Sequence, residues 1–193
     1  AVNEIKIGSG NGEINTEIKI PIVIENMEAF TGFQFDVKLP NNISYVSNSL
    51  TFSDRLDGHS ISASLINETT IRFLGYSTTN KNFKGNEGEV FNFRLKPNVS
   101  SGNYQLNIEE ATLTHISLGD IVSDIYNGSI SINAPKLSLN TASINYGDVS
   151  ITETKESIIE LSNQGNAQLN IDEVVYNNTE LSLGFVLPLV IEA

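Results

Sequence analysis

Apolar residues recur at every second position along most of the chain. Ile18, Ile20, Ile22 and Ile24 fall on one face of an extended segment, as do Phe33, Phe35, Val37 and Leu39, and again Phe91, Phe93 and Leu95. A period of two is the strand period, with successive side chains sent to opposite faces. Strand signals run through 2–8, 17–25, 31–39, 43–52, 60–66, 70–76, 89–96, 103–114 and 128–133. Corners rich in Asn, Gly and Pro separate them, so helical periodicity never has room to develop. The pattern predicts an all-β chain whose first part is a jelly-roll β-sandwich, two inner faces packed about 10 Å apart over one core. Pro21 lacks a ladder donor and predicts an edge position or a bulge in its strand. The stretch IGSGNGE (7–13) reads as a hairpin corner.

The alternation breaks at INAPKLS (132–138), which places a domain boundary between residues 1–134 and 135–193. A second series follows in KLSLN, INYGDVSI, KESIIELSN, QLNIDEVV and SLGFVLPLVIEA. From Pro135 to the end there are 59 residues, against about 100 in a full seven-strand sandwich. Either this unit is unusually small or the chain stops inside a truncated, partial β-sandwich, whose unpaired strand edges invite pairing between chains or disorder near 180–193.

One strand carries apolar weight on both faces. In TIRFLGY (70–76), Ile71 and Phe73 share one face while Arg72, Leu74 and Tyr76 share the other. If the first pair is core, the second set stands outside, beside Gln34, Asp36 and Lys38 of 31–39 and Ser62 and Ser64 of 60–66. Small polar residues around a Leu, Tyr and Arg centre fit a protein-binding surface with a hydrophilic rim. The competing reading is that the 77–88 loop or the second domain covers Leu74 and Tyr76.

Charge narrows the choice of partner. The 193 residues carry 23 acidic and 11 basic side chains, a net −12, which opposes docking on nucleic acid or an anionic membrane surface. The apolar run 183–191 is far short of the ~20 residues that span a bilayer, so no membrane insertion is expected. No basic stretch followed by an apolar one opens the chain, so these residues are read as containing no secretion signal. There is no cysteine, which removes disulfides, thiolate catalysis and Cys-type zinc sites. Five Asn-x-Ser/Thr triplets, at Asn42, Asn67, Asn98, Asn127 and Asn177, match the count of about four expected by chance from 24 Asn and 34 Ser plus Thr.

Candidate chemistry is sparse. His59 and His115 sit in neither HxH nor HExxH spacing and read as surface or strand-end residues. No G-x-S-x-G occurs for a serine nucleophile. Glu109 and Glu110 are adjacent and could share a ligand only across a bulge. The acidic loop SDRLDGHS (53–60) leaves calcium open on charge alone, without the spacing of an EF-hand loop. The reading is therefore no enzyme, no catalytic residue, no cofactor and no metal site. A rival class, carbohydrate binding with a polysaccharide partner, would use Tyr45, Tyr76, Tyr104 and Tyr126, in the absence of any Trp.

The segments IKIGSGNGEI, IKIPIVIEN, FTGFQFDVKLPNNI, TIRFLGYS, GEVFNFRLK and GNYQLNIEEATLT together resemble a cohesin module, with Leu39-Pro40 standing where that family has an aromatic-Asp pair. The resemblance implies a jelly roll that binds a helical dockerin on one sheet face, with Gln34 at a position where the family often uses a hydrogen-bonding polar residue. The segments INYGDV (144–149) and LSNQGNAQLNI (161–171) resemble immunoglobulin-like repeats of the ASPM/SPD-2/Hydin and choice-of-anchor kind. Together these imply a non-catalytic recognition or scaffolding protein of an extracellular or cell-surface setting, with self-association through strands of the second domain.

Overall fold

The computed structural model describes residues 2–176 and 178–193, so the sequon residue Asn177 lies outside the described residues. The chain divides into two units, Ala1–Ile132 and Asn133–Ala193.

In the first unit the strands are β1 (Asn3–Ile7), β2 (Ser9–Glu13), β3 (Ile18–Asn26), β4 (Gly32–Lys38), β5 (Ile43–Tyr45), β6 (Thr51–Phe52), β7 (Ser60–Asn67), β8 (Thr70–Tyr76), β9 (Glu89–Pro97), β10 (Gly102–His115), β11 (Gly119–Asp120), β12 (Asp124–Tyr126) and β13 (Gly128–Asn133). They form two sheets. One has the order β12-β1-β3-β9-β5, with β6 also on β9; the other has β2-β13-β10-β4-β8-β7, with β11 on β10. Period-two burial decides which side of each sheet is inside. Ile18, Ile20, Ile22 and Ile24 of the first sheet and Phe33, Phe35, Val37, Ile71 and Phe73 of the second join one buried cluster. Phe91 lies 5.8 Å from Phe33 and 5.2 Å from Phe73, ring centre to ring centre, and locks the two layers together. All-β architecture, jelly-roll sandwich and inward set agree with the sequence.

Two expectations about the first strands need correction. Residues 9–13 are not a hairpin corner; they are β2, a strand of the second sheet, and the turn comes after it, where Asn15 has φ 62°. Nor is Pro21 on an edge strand, because β3 lies between β1 and β9. The two facts have one cause. The Gly8 N–H donates to the Pro21 carbonyl at 2.8 Å, so Pro21 turns its N–H-less nitrogen to the same side. With no donor to continue the ladder, β1 ends there and the chain crosses to the other sheet. A Cβ on Gly8 would overlap the Pro21 ring, so only glycine passes. The other half of the Pro21 expectation, a bulge in the strand, has a counterpart: the β3–β9 register shifts between Ile22 and Val23, just past Pro21.

In the second unit two short antiparallel pairs form, β14 (Leu137–Leu139) with β15 (Leu161–Asn163) and β16 (Leu169–Ile171) with β17 (Leu189–Ile191). INYGDVSI is not a strand. The Asn145 side chain accepts from the Gly147 N–H at 2.8 Å and Gly147 adopts φ 61°, a local turn that competes with pairing. The corner 163–167 is tightly tied. Asn163 Oδ1 accepts from Lys136 and Gly165 N–H groups, its Nδ2 donates to Ala167 O at 2.7 Å, and Asn166 Oδ1 accepts from Ala134 N–H. A Cβ on Gly165 would collide with the backbone of 134–136, which explains the glycine in this Asn-x-Gly-Asn run.

Candidate functional site

The eight residues expected at a binding surface come from three adjacent strands. Cross-strand pairing sets them in rows on the outer face of the second sheet. Thr112, Gln34, Leu74 and Ser62 form one row; Glu109, Asp36, Arg72 and Ser64 form the next. Lys38 lies opposite Thr70 and Tyr76 opposite Ser60, at the two ends. Ile71 and Phe73 point inward and are fully buried, while Leu74 and Tyr76 are 38% and 45% exposed. Lys38, Ser62 and Ser64 are exposed, and Gln34 and Arg72 half-buried.

Asp36 is the one buried residue of the eight. It lies on the outer face yet is buried, because Arg72 crosses from β8 and binds it in a fork: Nε to Oδ1 and Nη2 to Oδ2, both 2.8 Å. This hydrogen-bonded pairing holds the Arg72 guanidinium above the ordinary arginine range. The pair is therefore a fixed, internally neutralised plate beside Leu74 rather than two free charges.

Two further features of this face escape the sequence. β10 carries a bulge, with Glu110 and Ala111 standing together opposite Phe35 and Glu110 at φ 50°. The bulge brings the exposed Glu109 and Glu110 to the acidic rim near Arg72. Second, a depression of about 360 Å³ opens at the end of the face, lined by Gly32, Gln34, Leu74, Tyr76, Ser77 and Thr112 among others. The alternation of Thr112 and Thr114 around the buried Leu113 is the signal that could have added them.

The 77–88 loop is tied down beside this depression. Phe83 enters the core and stacks on Phe30 at 4.7 Å. Arg55, from the stretch considered for calcium, turns inward on a short 3-10 turn at Asp54–Leu56, capped by Ser53 Oγ. Its guanidinium donates to Ile24 O, Asn26 Oδ1, Lys84 O, Gly85 O and Gly88 O. Burial lowers its pKa, opposed by the charge of Glu87. His59 stands at a strand end as expected, but it is not on the surface: it is 5% exposed, with Leu56 O and Lys81 O each 2.7 Å from a ring nitrogen. His115 caps a turn, its Nδ1 accepting from Ser117 and Leu118 N–H groups. Asp57 pairs with Lys81 at 2.9 Å, and that hydrogen bond holds its carboxyl below the usual range.

Among the described residues no cluster of three or more His, Asp or Glu is gathered to hold a metal. The four tyrosines considered for sugar binding are dispersed. Tyr45 and Tyr126 sit on opposite edge strands of the first sheet, Tyr76 on the outer face of the second, and Tyr104 is tied to Ser100 O. No helix among the described residues is long and apolar enough to cross a membrane.

The fold defined by these sheets is that of the cohesins, a β-sandwich. No family model matches the sequence, and neither does any curated protein sequence. Solved structures do match. The cohesin in the OlpA cohesin–dockerin complex of Clostridium thermocellum is similar over 68% of this chain and 99% of its own, at 15% identity and a TM-score of 0.61. The non-cellulosomal cohesin of Archaeoglobus fulgidus is similar over 69% and 93%, at 16% identity and TM-score 0.57. The seventh ScaB type I cohesin of Pseudobacteroides cellulosolvens is similar over 77% and 99%, at 17% identity and TM-score 0.55.

Proposed function

We propose that the chain is a non-catalytic recognition or scaffolding module that receives a protein partner of the dockerin kind on the outer face of β10, β4, β8 and β7. The observation that carries this reading is the Leu74 and Tyr76 pair, exposed on a fully laddered strand within rows of hydroxyl and amide side chains. A preformed sheet face loses little entropy on docking, so a modest apolar centre can support specific association. Asp36 acts here as a positioning residue that holds Arg72 flat next to that centre. The cohesin fold and the dockerin complexes of similar modules support the same partner class. We read residues 135–193 as an immunoglobulin-like spacer, supported by the 163–167 corner, and the setting as extracellular or cell-surface.

The test is affinity capture from the secreted fraction of the source cells on the immobilised chain, against a Leu74→Ser/Tyr76→Ser variant. Both side chains are substantially exposed, so melting stays unchanged while a captured protein is lost. Equal capture by both chains at equal melting temperature, or retention of polysaccharide with no protein, overturns the assignment.

A further inference from the structure

The edges of the two sheets are not equally protected. On the first sheet the outer strands β12 and β5 have three residues each, and β12 carries Asp124. On the second, β2 is a five-residue strand with two glycines and Glu13. Short length and charge are the usual means of blunting an edge. β7 is the exception. It runs eight residues, SISASLIN, with no charged residue and no proline in a chain of net charge −12. It ladders along one side only, with β8, and its pairing is regular from Ser60 to Leu65 before the register shifts. Beside it a groove of about 500 Å³ runs along the seam of the sandwich, lined by Tyr45, Leu50, Ile61, Ala63 and Leu65 among others. Leu65 is 51% exposed and Ile66 48%.

We infer that β7 is a self-association edge, pairing antiparallel with β7 of a second copy about a two-fold axis through Ala63. The strand is its own complement. Opposed residues in an antiparallel ladder share a face, and apolar Ile61, Ala63 and Leu65 alternate with Ser60, Ser62 and Ser64. A two-fold at Ala63 sets Ile61 against Leu65 of the second copy, Ala63 against Ala63, and Ser62 against Ser64. A one-residue slip sets every apolar side chain against a serine and is excluded by the pleat. A two-fold at Ser62 leaves Leu65 unmatched. Charge points to the same occupant: two strongly acidic chains repel over most of their surfaces, and along this edge no like charges meet. The pairing covers the exposed Leu65 and the groove and joins the two second sheets into one. It stands independently of the docking assignment, whose outer face it leaves open on both copies.

The experiment is sedimentation velocity on the full chain from ~1 μM to ~1 mM, the range of weak to moderate association. A dimer whose population rises with concentration is expected. Leu65→Lys puts a charge against the apolar side chain of the second copy twice per dimer and weakens association at least ~10-fold. The native chain has no cysteine, so a single introduced thiol reports the register. Oxidised Ala63→Cys forms a disulfide-linked dimer, since directly opposed Cα atoms lie ~4.5–5.5 Å apart, within disulfide span. Ile61→Cys does not, its two copies being ~13 Å apart along the ladder. A monomer at every concentration, a dimer indifferent to Leu65→Lys, or equal cross-linking through residues 61 and 63 overturns the inference. Cross-linking keeps it falsifiable even if Leu65→Lys fails to fold.

Discussion

Arg55 is the most exacting test of how the first unit is held together. Its guanidinium reaches five acceptors in two separate stretches of chain, 24–26 and 84–88, and no carboxylate is among them. Two effects oppose each other when it is replaced. Burial disfavours the charge, as its lowered pKa records, so Arg55→Met regains a desolvation cost. Against this, Ile24 O and Asn26 Oδ1 lose a donor in buried positions, each at ~1–3 kcal/mol. The three carbonyls of 84–88 lie nearer solvent and recover water at smaller cost. The orphaned acceptors win, and the net loss is about 3 kcal/mol, a large part of the ~5–15 kcal/mol stability of a typical domain. Arg55→Lys separates charge from geometry, because an ammonium keeps the charge but cannot span the fork of acceptors; it loses at least ~2 kcal/mol. Urea unfolding at constant m-value measures both, and amide exchange at Phe83 and Lys84, which bond to Phe30 O and Arg55 O, accelerates in both. A loss under ~1 kcal/mol for either variant, with native m-value, refutes the reasoning.

Phe83→Ala removes the ring stacked on Phe30 and lying 3.7 Å from the His59 ring, and is expected to cost ~3–5 kcal/mol by thermal or urea unfolding; a loss under ~1 kcal/mol would place the loop outside the cooperative core. For Asp57 the direction follows from its pairing with Lys81. Its folded pKa lies below 3.8, so its favourable contribution is present above that value and is lost as pH falls through the folded pKa. A carboxyl titration by NMR should find its midpoint below 3.8 and returned toward 3.8 in Lys81→Ala, whereas a wild-type midpoint at or above 3.8 contradicts the pairing.

The parts that were legible in the sequence are those governed by nearest-neighbour geometry. Alternation alone separates Ile71 and Phe73 from Leu74 and Tyr76, because the pleat leaves no choice once one face is buried. What was hidden depends on which strands become neighbours. The Asp36–Arg72 fork needs β4 beside β8, and nothing in 31–39 or 70–76 taken singly announces it. Arg55 reads as one charge in an acidic loop until residues 24–26 and 84–88 close around it. β2 has almost no apolar side chain to betray a strand; its identity comes from the crossing at Gly8 and Pro21. INYGDVSI shows the converse, alternation in the sequence overruled by the Asn145 turn.

Period two gives the first unit two nearly independent sets of residues. The inner set needs volume and apolarity, which many combinations of Ile, Leu, Val and Phe supply. That tolerance is how modules at 15–17% identity come to share this sandwich. The outer set carries little of the packing energy, so it can be rewritten without unfolding the sheet. Asp36 is where the two sets meet, since it sits on the outer face but is buried by Arg72. Removing its carboxylate disturbs the sheet surface and the orientation of Arg72 together, whereas changing Ser62 or Leu74 alters only the exposed surface of the sheet. The row Thr112, Gln34, Leu74 and Ser62 can therefore vary at little cost in stability, and on the proposed docking face such variation would retune specificity, while the neighbouring row, anchored on the fork, is held in place by the fold itself.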